Sequence, residues 1–86
     1  MYNVIIERRV YKDLDKIPLS DVEKIYEQIL ALQQDPRPSG TKKLKGSKDR
    51  YRIRQGDYRI VYILDDNKKT VSIILVRHRK DVYRDS

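Results

Sequence analysis

Arg50-Tyr51-Arg52-Ile53-Arg54-Gln55-Gly56-Asp57-Tyr58-Arg59-Ile60-Val61-Tyr62-Ile63-Leu64 is the stretch that decides the fold. Arg50–Gln55 and Tyr58–Leu64 read as strands rich in β-branched and aromatic residues. The Gly56-Asp57 between them suits a tight hairpin turn with glycine at its first central position. Side chains alternate across a strand, so Tyr51 and Ile53 share one face while Arg52 and Arg54 share the other. On the second strand Tyr58, Ile60, Tyr62 and Leu64 oppose Arg59, Val61 and Ile63. The simplest register puts the Tyr/Ile/Leu rows under a helix layer, so that Arg52, Arg54 and Arg59 converge on an uncovered face. A one-residue slip or a bulge reverses that assignment.

Working outward, Asp65-Asp66-Asn67-Lys68-Lys69 is a second turn and Thr70–Arg77 a last strand. Both faces of its middle are apolar, so it belongs in the sheet interior with neighbours on both sides. Upstream, residues 36–49 form a basic loop broken by Pro36, Pro38, Gly40 and Gly46, with Leu44 as the pin to the core. At the N-terminus Tyr2–Glu7 reads as a strand. Val10, Leu14 and Ile17 have helical spacing over Arg8–Ile17. A longer helix follows to about Gln34, carrying Val22, Ile25, Tyr26, Ile29, Leu30 and Leu32. It starts either at a Ser20/Glu23 capping box or with Pro18 in its first turn. His78–Ser86 is a polar tail with room for one helical turn. Tyr26, Tyr51, Tyr58 and Tyr62 are assigned to the core with hydroxyls at its rim. The expected fold is α+β, in the order β-α-α-β-β-β. Two N-terminal helices should pack on one face of a mainly antiparallel four-stranded sheet, and residues 1–86 should form one domain.

Eighty-six residues allow one small core; such a chain buries roughly 60% of its unfolded surface. The absence of cysteine excludes disulfides and thiolate metal sites, and the single histidine, His78, excludes multi-His sites. No apolar run approaches a membrane span and no signal-peptide pattern is present, so a cytoplasmic location is expected. The net charge of +7 is uneven: residues 1–35 carry −2 and residues 36–86 carry +9. Between Arg37 and Arg59 nine Lys or Arg meet only two acids, Asp49 and Asp57. That asymmetry points to a polyanion, most simply RNA, more than to a merely solvated arginine face.

Leu44-Lys45-Gly46, Tyr51-Arg52-Ile53-Arg54, Gly56-Asp57-Tyr58-Arg59-Ile60-Val61-Tyr62 and Val76-Arg77-His78-Arg79 with Asp81-Val82-Tyr83 together closely resemble the RelE branch of the RelE/ParE toxin superfamily. The resemblance spans essentially the whole chain. It implies a type II toxin that enters the ribosomal A site and cuts mRNA without a metal or other cofactor. It also implies a RelB-like antitoxin partner, with the toxin–antitoxin complex binding operator DNA. Matched motif by motif, the family's functional positions fall on Arg52, Arg54, Arg59, Arg79 and Tyr83. The chain departs from that pattern by carrying arginine, not lysine, at 52 and 54, and by a shorter stretch between Arg79 and Tyr83.

Metal-free cleavage uses the RNA's own 2′-OH as nucleophile and leaves a 2′,3′-cyclic phosphate and a 5′-OH end. Arginine stays charged and forks onto two phosphate oxygens, so Arg59 is assigned to the scissile phosphate and Arg52 and Arg54 to it or its neighbours. With a reference pKa above about 12, arginine is a poor base. Tyr83 is therefore the candidate for stacking on a base, for taking the 2′-OH proton, or for both, and Arg79 for the leaving group. His78 is a secondary candidate, since its strand parity opposes Arg77 and Arg79. Lys42, Lys43, Lys45, Lys48 and Arg50 are expected on the RNA backbone, where contacts position without specifying. Two other readings stay open: a ParE-like toxin that inhibits DNA gyrase, and a nucleic-acid-binding module without catalysis.

Overall fold

The computed structural model describes residues 1–46 and 49–82, and for residues 81 and 82 the backbone alone. Its elements are β1 (Asn3–Ile6), α1 (Arg8–Asp15), α2 (Leu19–Ala31), β2 (Lys42–Lys43), β3 (Arg50–Gln55), β4 (Tyr58–Asp65), β5 (Thr70–His78) and α3 (Arg79–Val82). The sheet order is β1-β5-β4-β3-β2. β1 runs parallel to β5, and the other pairings are antiparallel. As its two-sided apolar pattern demands, β5 has a strand on each side. The α+β class and the helix-on-sheet arrangement agree with the sequence reading.

The strand count does not: among the described residues there are five, not four. The extra strand is Lys42–Lys43, paired with Arg52 and Tyr51. Two lysines in a Pro/Gly-rich loop carry no alternation for a sequence to reveal. A very short, charged edge strand is a common way to blunt an edge against further pairing.

The core joins Val10 of α1 and Ile25 and Ile29 of α2, with Leu32 just beyond it, to Ile53, Ile60, Tyr62, Leu64, Val71, Ile73 and Val76 of the sheet. Tyr51 and Tyr58 are half-buried against it, as expected. Tyr26 is not: it is 47% exposed. The buried stripe of α2 is narrow, and Tyr26, one residue on from Ile25, is turned about 100° away from it.

The capping box does not form. α2 begins at Leu19 with Pro18 as its N-cap, and the Pro18 carbonyl accepts the Asp21 and Val22 N–H groups, both at 3.0 Å. The fixed φ of proline suits that junction, which leaves Ser20 inside the first turn. The helix ends at Ala31, and Leu32, Gln33 and Gln34 continue in tighter i→i−3 bonds of 3.1–3.2 Å.

A register shift separates Val61 and Tyr62 of β4. Tyr62 pairs with Ile73 and Val61 with Leu75, so Ile74 is an extra residue in β5. Such a bulge inverts the parity of everything beyond it. Strict alternation from Val71 and Ile73 places Leu75 and Arg77 under the helices. With the bulge, Val76 enters the core instead and Arg77 is opposite Arg59.

Candidate nucleic-acid interface

Directly paired residues in an antiparallel sheet share a face. Arg54 pairs with Arg59, and Arg59 pairs with Arg77. One row at the hairpin end of the uncovered face therefore takes an arginine from each of three adjacent strands. The next row runs Lys42, Arg52, Val61 and Leu75, and the one after it includes Arg50, Ile63, Ser72 and Ile5. The first row is wholly cationic, while the next two carry cations on β2 and β3 and mainly apolar residues on β4, β5 and β1.

The turn that sets this register is tight. Gly56 has φ +58, and Asp57 has no positive φ, the pattern of a turn with glycine at its first central position. Arg59 sits on the central strand and is only 7% exposed, whereas Arg54 is exposed and Arg52 half-buried. Arginines keep their charge in any of these settings, so the row is a fixed array of donors and positive charge.

The sequence reading brings Arg52, Arg54 and Arg59 together, and the register does the same. Arg77 is the residue it missed. It stands in the Val76-Arg77-His78-Arg79 motif, but strict alternation along β5 does not bring it to this face, and the bulge does. Arg77 is half-buried and ion-paired through Nη1 to Asp13 Oδ1 of α1. Arg79 is outside the row, at the start of α3. Its backbone N–H donates to the Asp57 carbonyl at 2.7 Å, and its exposed side chain has Nε 3.8 Å from Asp57 Oδ1. His78 faces the helix side: it pairs with Tyr58, meets that ring edge-on at 5.4 Å, and its Nδ1 accepts the Lys80 N–H at 3.2 Å. Burial, with Asp21 and Asp57 nearby, pushes the Tyr58 hydroxyl above the usual tyrosine range.

Arg50 shares the face of Arg52 and Arg54, Lys42 lies beside Arg52, and Lys45 is exposed in the following loop. Lys43 pairs with Tyr51 and so belongs to the opposite face. Lys48 and Tyr83 lie outside the described residues.

Arg37, counted among the nine cations, is engaged elsewhere. Its Nη2 is 2.7 Å from Asp66 Oδ2, and its guanidinium lies 5.2 Å from the Tyr51 ring centroid. Asp66 Oδ1 also accepts the Tyr2 hydroxyl at 2.6 Å. Arg37 and the Tyr2 hydroxyl hold the Asp66 carboxyl below its ordinary value, while Asp66 raises Arg37. Nearby, the buried Tyr62 hydroxyl donates to the Pro36 carbonyl at 2.6 Å, and its ring stacks on Tyr51 at 5.9 Å. This network ties the loop after α2 to the sheet, at the opposite end from the arginine row.

Among the described residues no His, Asp and Glu side chains gather as a metal-binding group, and no helix is long and apolar enough to cross a membrane.

A family model described as the ParE toxin of the type II toxin–antitoxin system parDE matches residues 4–83. The chain is 35% identical over 86 residues to a putative toxin RelE1 of Methanocaldococcus jannaschii, with 96% of each chain covered. The archaeal RelE–RelB complex of Pyrococcus horikoshii superposes with a TM-score of 0.81 at 31% identity, covering 91% of this chain and 94% of that one. The RelBE2 toxin–antitoxin complex of Mycobacterium tuberculosis gives 0.80 at 30% identity, over 91% and 98%.

Proposed function

The chain belongs to the RelE/ParE family of type II toxin–antitoxin toxins, and on that premise we propose that it is a RelE-type endoribonuclease that cuts mRNA in the ribosomal A site. The observation that carries this reading is the row Arg54–Arg59–Arg77 with Arg52 beside it on the uncovered sheet face. Several fixed cations drawn from separate strands suit a phosphate that gains charge as it reacts.

In the proposed reaction the 2′-OH oxygen attacks the adjacent phosphorus, its proton leaves to a base, the P–O5′ bond breaks, and the leaving 5′-oxygen takes up a proton from an acid or from water. The products are a 2′,3′-cyclic phosphate and a 5′-OH end, with no metal required. Arg59, the most enclosed and central of the row, takes the scissile phosphate. Arg54 and Arg77 flank it, and Arg52 holds a neighbouring phosphate. Tyr83 is assigned to base stacking or proton abstraction, and Arg79, at the start of α3, to the leaving oxygen. Lys42, Lys45, Lys48 and Arg50 extend the cationic surface along the RNA backbone.

The side-by-side arrangement of this face suits the second expected partner. A RelB-like antitoxin segment with acidic and apolar residues would cover the cations of β2 and β3 and, beside them, Ile63, Leu75 and Ile5. The relatives solved as RelE–RelB complexes support such a partner.

The test is to add the purified protein to translating ribosomes and map mRNA ends. Codon-registered cuts that persist in EDTA support this reading. The matched family model bears the ParE name, which favours one other reading, a gyrase inhibitor. Intact mRNA together with blocked DNA supercoiling would establish that reading in place of the nuclease.

A further inference from the structure

Three guanidiniums in one row repel one another, and Asp13 of α1 is ion-paired to one of them, Arg77. β1 stops at Ile6, opposite Ile73, so beyond that point the edge of β5 is left to α1. There Asp13 reaches across 63 residues of sequence: its Oδ2 accepts the Val76 N–H at 3.2 Å. Its Oδ1 pairs with Arg77 Nη1, and the same Nη1 donates to the Val76 carbonyl at 3.2 Å. Carboxylate and guanidinium are thus both tied to residue 76 of β5, and their side chains are only 11% and 24% exposed.

The Asp13 side chain bonds outside α1, although its carbonyl accepts the Lys16 N–H at the end of that helix. The cap of that helix is Glu7, and its buried anchor is Val10. Lys12, Asp15 and Lys16, its neighbours in sequence, are exposed. An acid beside a phosphate-binding row lowers raw affinity for RNA. Its compensating effect is orientation, because a long, flexible arginine at a sheet edge otherwise loses its direction.

We propose that Asp13 is a positioning residue: anchored on the Val76 backbone, it holds Arg77 at the edge of the arginine row so that Arg77 and Arg59 engage one phosphate. This inference rests on the nuclease reading. It predicts a separation between rate and affinity that a purely structural ion pair does not give. Asp13→Asn keeps one acceptor for the Val76 N–H and removes the charge and the second acceptor, which faces Arg77.

The experiment compares single-turnover mRNA cleavage on ribosomes for wild type, Asp13→Asn, Arg77→Leu and the double variant, with thermal melts as a folding control. Asp13→Asn should lower kcat about tenfold or more without raising KM. In the Arg77→Leu background it should have no further effect. Asp13→Glu, which keeps the charge and moves the anchor by one methylene, should fall between wild type and Asn, and it serves if Asp13→Asn does not fold. An unchanged kcat in Asp13→Asn or, where that variant does not fold, in Asp13→Glu overturns the proposal. So does a lowered KM at full rate, which would make Asp13 a competitor of RNA, or full additivity with Arg77→Leu. If wild type itself does not cut, the nuclease reading falls and this inference falls with it; an active wild type with an equally active Asp13→Asn sinks the inference alone.

Discussion

Replacing Arg59 with leucine separates chemistry from folding. Arg59 is central in the row, with Arg54 on one side and Arg77 on the other, and it is only 7% exposed. A donor fixed in that way against a phosphate that gains charge is worth about 10²–10³ in rate, or about 2.7–4 kcal/mol. An exposed cation that only adds to the local potential is worth about 1 kcal/mol or less. Arg59→Leu should therefore reduce cleavage at least a hundredfold, and Arg54→Leu, at the exposed position, by about tenfold or less. Leucine fills much of the same space beside Val61, so the fold should change by no more than about 1–2 kcal/mol, with each kcal/mol shifting Tm by about 4–8 °C in a domain of this size. Primer extension on ribosome-bound mRNA measures the rate, and circular dichroism melts measure the fold. Cleavage within tenfold of wild type at an unchanged Tm would refute the phosphate assignment. Loss of the folded state would show that Arg59 is a structural cation.

Three further outcomes follow from the same structure. Tyr62→Phe removes the hydroxyl bonded to Pro36, which should cost about 1 kcal/mol and leave RNA cleavage untouched. Burial raises Tyr62 above its usual value of 10.0, so its contribution is complete below that pH and is lost as the pH rises past it, where the unfolded chain ionises first. Melts from pH 8 to about pH 11 should show that loss, and it should be smaller in the phenylalanine variant. Asp66 is held low by Arg37, so its contribution is present above the ordinary carboxylate value of 3.8 and is lost as the pH falls through the lower folded value. Asp66→Asn should accordingly be less stable than wild type at neutral pH, with the difference vanishing in acid. Lys45→Ser and Arg50→Ser, tested for affinity to single-stranded RNA over a salt series, should each flatten the slope of log K against log salt by about 0.7 while leaving cut positions unchanged.

How far the site could be read from the sequence depended on how each register is set. The Gly56-Asp57 turn is local, so residue order alone fixes Arg54 opposite Arg59, and the parity of Arg52, Arg54 and Arg59 agrees with the observed register. Arg77 needed the bulge at Ile74, which arises from how β5 meets β4, and no local signal reveals it. The two-residue β2 escaped for a related reason, since it depends on what the chain packs against, while α2 starts at Leu19, between the two starts that the sequence offered. Arg37 entered the count of nine cations because counting charges cannot tell a solvated guanidinium from one stacked on Tyr51 and paired with Asp66. The helix stripe over-reached at Tyr26, since spacing marks a face but not its width.

The three arginines reach one row by unrelated means, and that separates affinity from rate. The tight turn places Arg54 against Arg59; the bulge brings Arg77 onto the same face; α1 supplies the acid that holds Arg77 there. None of these devices changes the number of positive charges. On the proposed function, attraction for RNA would depend on that number and be shared with Lys42, Lys45 and Arg50. Stabilising a single phosphate depends on where the guanidiniums converge, which turn, bulge and Asp13 control. Disturbing any one of them should leave a protein that still binds RNA with nearly the same salt dependence and has lost much of its chemistry. A surface that was merely basic would lose both together.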